Sequence, residues 1–177
     1  MPELKRYNTT IVILHWVLAL FILGAIFMGA FILDEMDSDH PQKILLLKLH
    51  VFVGVGIMLF TLLRLYMRFA TPQPAPLSGS SPLMGKLGTG VHYLLYLFTI
   101  LTVVAGVTLA ISANLPTVLF ENIGQLPHDY DEFLAHEAHE VFAELLLFTI
   151  LLHVVAALYH QFILKDGILS RMSLRKD

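Results

Sequence analysis

Four long apolar stretches separated by short polar connections account for most of the chain. Residues 11–33 run 23 positions without a formal charge. At about 1.5 Å per residue, a helix of that length crosses a hydrocarbon core of roughly 30 Å. A second stretch, 44–66, carries charge only at Lys48 and Arg64, near its ends. The third lies within 87–120, which has no charged residue, and the fourth runs from 137 to 164 with Glu140 and Glu144 near its start. Breaker-rich segments, TPQPAP at 71–76 and SGSSP at 78–82, mark one connection. The pattern predicts helices at about 9–33, 44–69, 88–112 and 137–164. The expected architecture is all-α: an integral membrane four-helix bundle forming one domain over residues 1–177. Lys5 and Arg6 precede the first stretch as they would in a signal peptide. The stretch is too long for an ordinary h-region and contains His15, so it reads as an uncleaved helix.

Composition agrees. Of 177 residues, 56% are hydrophobic and 14% charged, against about a quarter charged in soluble domains. There is no cysteine, which excludes disulfides, thiolate zinc sites, cysteinyl iron–sulfur clusters and c-type haem attachment. No nucleic-acid partner is expected. Charge placement orients the bundle. The amino-terminal segment, the 2–3 connection and the carboxy-terminal tail hold Lys5, Arg6, Arg64, Arg68, Lys86, Lys165, Arg171, Arg175 and Lys176. The other two connections hold only Lys43 and Lys48, together with Asp34, Glu35, Asp37, Asp39, Glu121, Asp129, Asp131, Glu132 and Glu137. The positive-inside rule then places the N and C termini in the cytoplasm and the acidic face outside.

Ionisable residues at membrane depth are expensive and default to functional candidates. His15 falls in the cytoplasmic half of the first helix, His50 near the outer end of the second. His153 lies 14 residues beyond His139 in the fourth. At about 100° per residue, those two side chains are only about 40° apart around the helix and about 21 Å apart along it. With this topology His15 meets His153 at the cytoplasmic level and His50 meets His139 at the outer level. Two facing pairs suit bis-imidazole ligation of haem b, in which each iron takes one nitrogen from either side. A pair separated by about 21 Å from the next suits a mononuclear zinc site less well.

The other polar residues fit more than one role. Arg64 and Arg68 follow His50 by 14 and 18 residues and so share its face. They suit the propionates of a cytoplasmic-side haem, or a lipid phosphate, equally. His160 and His92 suit contacts to a propionate or a quinone, or the plain membrane interface. HEAHE at 136–140 lacks the spacing of a zinc-protease helix, and His136 points about 100° away from His153, so His139 is the better ligand. His40 and His128 read as surface residues. Gly24, Gly29, Gly54, Gly56 and Gly106 allow close approach of a porphyrin or simply of another helix. The methionines read as packing.

Several motifs together carry a resemblance. TTIVILHW at 9–16, KLHVFVG at 48–54, RLYMRF at 64–69, VHYLLYL at 91–97 and HEVFAELLLFTILLHVVAALYHQFILKDGILSRM at 139–172 resemble the bacterial cytochrome b561 family, across all four helices in order. The resemblance implies a multi-pass diheme cytochrome b of the bacterial inner membrane. By motif, its iron ligands fall on His15, His50, His139 and His153. It further implies electron transfer to ubiquinone near the cytoplasmic side and, as the enzymatic activity, oxidation of superoxide to oxygen on the periplasmic side. The chain is also similar to larger b-type subunits that relay electrons for a catalytic partner. A non-catalytic electron-transfer subunit serving a periplasmic redox partner is therefore the alternative. A histidine-lined metal transporter or sensor without haem is a third. Nine outer acidic residues oppose capture of an anion, although Lys43 and Lys48, near His50, are placed to form a local positive patch.

Overall fold

A computed structural model describes residues 6–74 and 82–174. Lys5, Arg175, Lys176 and residues 75–81 of the 2–3 linker lie outside the described residues. Among the described residues, four helices are long and apolar enough to cross a membrane: Thr9–Leu33, Lys43–Ala70, Leu83–Ser112 and Leu134–Leu164. The first comprises α1 (Thr9–Met28) and a π-helical turn at Gly29–Leu33. Then follow α2 (Lys43–Ala70), α3 (Pro82–Ser112) and α4 (Leu134–Tyr159), the last extended by a π-helical turn at His160–Leu164. Among the described residues there is no strand.

The helix starts follow local chemistry. Asn8 caps α1, its side-chain oxygen accepting from the Thr10 N–H at 2.8 Å. α3 begins at Pro82 rather than at 88, because a proline lacks only an N–H that the first helical turn leaves unpaired anyway. The glycines at 85, 88 and 90, which weaken a helix in water, are carried inside it. α4 begins at Leu134, three residues before the expected 137, behind Phe133 in an extended conformation.

Large apolar side chains cover the outside of the bundle: Leu20 and Phe69 are each 71% exposed and Phe148 60%. Each hydrated apolar surface of that kind costs about 25 cal/mol per Å² in water, so this surface is built for lipid. Several hydroxyls inside the helices are satisfied locally, although that of Thr61 in α2 is buried without a hydrogen-bond partner. Thr99, Thr102 and Thr149 each donate to the carbonyl four residues earlier at 2.7 Å. α3 and α4 make the most extensive backbone approach, α1 and α2 the next, and α2 and α3 join the pairs. α4 makes no comparable backbone approach to α1 or α2 among the described residues; it meets them through side chains.

The chain ends come together. Tyr7 N–H donates to the Arg171 carbonyl at 3.4 Å, and the Trp16 indole donates to the Met172 carbonyl at 3.0 Å. We call this the terminal end. At the opposite, loop end, residues 113–133 fold into a packed cap. Leu115, Val118, Leu119 and Leu126 form a buried cluster with Leu47 and Val51 of α2, Leu109 of α3 and Phe133. A π-helical turn at Thr117–Glu121 closes on Asn122 at φ 58°, a left-handed position that asparagine tolerates. The Ser38 hydroxyl donates to the Pro127 carbonyl at 2.7 Å and ties the 1–2 connection to this cap.

Candidate functional site

Helix rotation decides which histidines meet. In α4, His139 and His153 share a face four turns apart, and that face looks across the bundle at α1 and α2. Near the terminal end the His15 and His153 rings lie 6.1 Å apart between centroids, their planes 72° to one another. Near the loop end the His50 and His139 rings lie 6.2 Å apart at 74°. The structure thus brings together the two pairs expected from spacing.

α3 supplies contacts that spacing did not reveal. The His92 ring lies 5.1 Å from that of His153, nearer than His15, so the terminal-end pair has a third imidazole beside it. Its Nδ1 donates to the Gly88 carbonyl at 2.6 Å, which leaves Nε2 with the lone pair. His139 Nδ1 likewise donates to the Thr102 carbonyl at 2.8 Å. His50 differs: its Nδ1 is buried without a hydrogen-bond partner. Arg64 and Arg68 lie over the rings of Tyr96 and Tyr93, each guanidinium 5.7 Å from the centroid, and the Arg64 Nε is buried without a partner.

His160 stands apart from the terminal-end pair. Its Nδ1 bonds the Asp166 carboxylate, which also accepts from the Ile168 N–H at 3.1 Å. Burial raises the Asp166 pKa, but these hydrogen bonds outweigh it and hold the carboxyl below its ordinary range. A turn through Lys165 and Gly167, both at positive φ, makes the contact possible; the Asp166–Gly167 pair was the available sequence signal. At the loop end His136 pairs with Asp131 at 3.4 Å and Glu140 at 3.6 Å, and Tyr130 lies beside it with centroids 5.8 Å apart. Burial pushes the Tyr130 phenol up.

Of the expected positive patch at the loop end, Lys43 is withdrawn and Lys48 remains partly exposed. Lys43 is only 7% exposed and its ammonium donates to the Met36 carbonyl while facing Tyr130. Lys48 lies over the Phe120 ring, 6.0 Å from its centroid. Lys43 is held inside by the Met36 carbonyl of the 1–2 connection and the Tyr130 face, whereas Lys48 stays partly exposed beside Phe120.

A model of the prokaryotic cytochrome b561 family matches residues 6–173. The chain belongs to that family. It is 28% identical to cytochrome b562 of Cereibacter sphaeroides, over 97% of this chain and 98% of that one. It is 25% identical to a probable superoxide oxidase CybB of Yersinia pestis, over 97% and 98%, and 27% identical to cytochrome b561 homolog 1 of Escherichia coli, over 98% and 99%. As a b561 cytochrome it is a multi-pass protein of the bacterial inner membrane that binds haem b and transfers electrons.

The residues present fit that group. Two imidazoles bonded at about 2 Å on opposite sides of one metal ion place their ring centroids about 6 Å apart, and both pairs have that separation. Among the described residues, no three or more histidine or carboxylate side chains are arranged to hold a metal ion. Two imidazoles per site complement an iron that brings four nitrogens of its own. The small residues differ in their surroundings. A Cβ on Gly54 or Gly56 would meet nothing within 4 Å, whereas Gly29 and Gly106 lie against the rings of His50 and His139.

Proposed function

We propose that this b561 cytochrome holds two haems b and carries electrons across the inner membrane to ubiquinone, oxidising superoxide to oxygen on the periplasmic side. The observation that carries the reading is the meeting of His15 with His153 and of His50 with His139 at opposite ends of one bundle. In this reading those four residues would hold the two haem irons, and both chain termini are cytoplasmic. Haem b, when bound, supplies a one-electron carrier whose potential its surroundings set. The chain's own part is to grip each iron with imidazole alone, to keep water from the pairs, and to place cations near the propionates. Arg64, with its buried and unpartnered Nε, suits a propionate better than a lipid phosphate; Arg68 extends the same charge toward the surface. His160, held by Asp166, suits hydrogen bonding to a quinone at the terminal end, and His92 supports the nearer ligand pair.

The superoxide assignment is supported by the likeness to the Yersinia pestis protein. The acidic loop end, with Lys43 withdrawn into the cap, favours a second reading in which the electron donor is a positively charged redox protein. The assignment of sites is tested by reduced-minus-oxidised spectra of the purified protein. Two low-spin b haems per chain are expected; a colourless protein that binds zinc would overturn the proposal. His50→Ala and His139→Ala should each remove one and the same haem, while His15→Ala and His153→Ala remove the other. Retention of both haems in all four variants would refute the pairing.

A further inference from the structure

We propose that Gly106 is a positioning residue for His139: by leaving the surface of α3 bare, it lets that ring reach the Thr102 carbonyl, and the resulting hydrogen bond sets the potential of the loop-end haem. The inference rests on the proposed ligation by His139. In a helix the N–H of residue 106 points at the carbonyl of residue 102, and a side chain at 106 leans back over that carbonyl. Glycine alone leaves it open to a third group. His139 occupies the opening: its Nδ1 lies 2.8 Å from the Thr102 oxygen. An added Cβ on Gly106 would lie 2.9 Å from both Cε1 and Nδ1 of the ring. Both atoms belong to a half-buried ring that lies against α3, and the ring must turn or withdraw to admit a methyl group.

The consequence is chemical as well as steric. A carbonyl that accepts from Nδ1–H fixes the tautomer, leaves the lone pair on Nε2 and makes that nitrogen a stronger donor to a metal. The opposite ligand, His50, has no such partner at its buried Nδ1. Gly29 is 3.5 Å from its ring, an ordinary contact that constrains it less. The loop-end haem therefore has one reinforced and one unreinforced imidazole. The reinforced one favours ferric iron and holds the potential down.

The test is redox titration of haem-loaded Gly106→Ala. Its loop-end midpoint should rise and its ferric electron paramagnetic resonance signal, which senses the angle between the imidazole planes, should shift. The terminal-end haem should be unchanged, and Gly85→Ala, at an exposed position where an added Cβ meets nothing within 4 Å, should change neither. A Gly106→Ala protein with both loop-end signals as in the parent would overturn the inference. His139→Ala separates this from the underlying reading: if that variant keeps both haems, it is the ligation that fails. Should Gly106→Ala not accumulate, the parent protein still decides. Its redox-difference infrared spectrum with isotope-labelled histidine should contain one strongly hydrogen-bonded Nδ1–H band that is missing from His139→Ala, and the absence of that band would refute the proposal.

Discussion

A buried guanidinium needs an anion or an aromatic face, and Arg64 has only the second. It lies over Tyr96 with its Nε unsatisfied, beside the terminal-end histidines. Arg68, one turn further out, lies over Tyr93, which is itself 47% exposed. A cation near a haem disfavours its ferric, more positive state, and the effect grows as screening by water falls. Arg64→Gln should therefore lower the midpoint of the terminal-end haem, by more than Arg68→Gln does, and leave the loop-end haem in place. Redox titration of the three proteins checks the order; an equal shift in both variants would remove the buried arginine from this role. The four paired histidines were legible because two of them share one helix and their interval measures both angle and depth. His92 against His153 was not legible, and neither was Gly106 against His139. Both depend on how α3 is rotated toward α4, and a helix apolar all round, as α3 is, gives no stripe from which to read a rotation.

Helix ends were less legible than helix identities, for a related reason. In water, Pro82 and the three glycines that follow would argue against a helix start; in lipid an unpaired backbone group is dearer than a poor helix former, so α3 continues to the linker. The cap shows the same trade at the loop end. The uncharged run to Phe120 gave notice that apolar residues continue beyond the helix, but not that Leu115, Val118, Leu119 and Leu126 would close over α2 and α3. Leu119, 1% exposed, is the centre of that cluster. Leu119→Ala removes a fully enclosed side chain, a change that typically costs about 2–5 kcal/mol. It should lower the thermal midpoint of the detergent-solubilised protein and, because none of the four paired histidines belongs to the cap, leave the haem spectrum intact. Loss of a haem in this variant would make the cap part of the haem site instead of a cover beside it.

Taken as one object, the molecule is electrically lopsided, and that asymmetry bears on the donor. Eight acidic residues of the 1–2 and 3–4 connections and Glu137 in the first turn of α4 gather at the loop end with Lys43 and Lys48. The first of these lysines is enclosed and the second rests on Phe120. An approaching anion therefore meets a negative field relieved only by the partly exposed Lys48. Such fields reach about 10 Å at 0.1 M salt and fade as salt is added. If superoxide is the donor, its reaction with the haem-loaded protein should speed up as ionic strength rises from about 10 mM to about 500 mM, because screening removes repulsion. A basic electron-carrier protein should show the opposite slope, since screening weakens an attraction. Pulsed generation of superoxide with haem reduction followed optically gives the first slope, and stopped-flow mixing with a reduced basic carrier gives the second. Haem reduction by superoxide at every salt concentration, faster as salt increases, would uphold the oxidase reading against an unfavourable field. Absence of reduction across the range, with a steep fall in the carrier's rate, would transfer the donor role to a cationic protein and leave the histidine pairs unaffected.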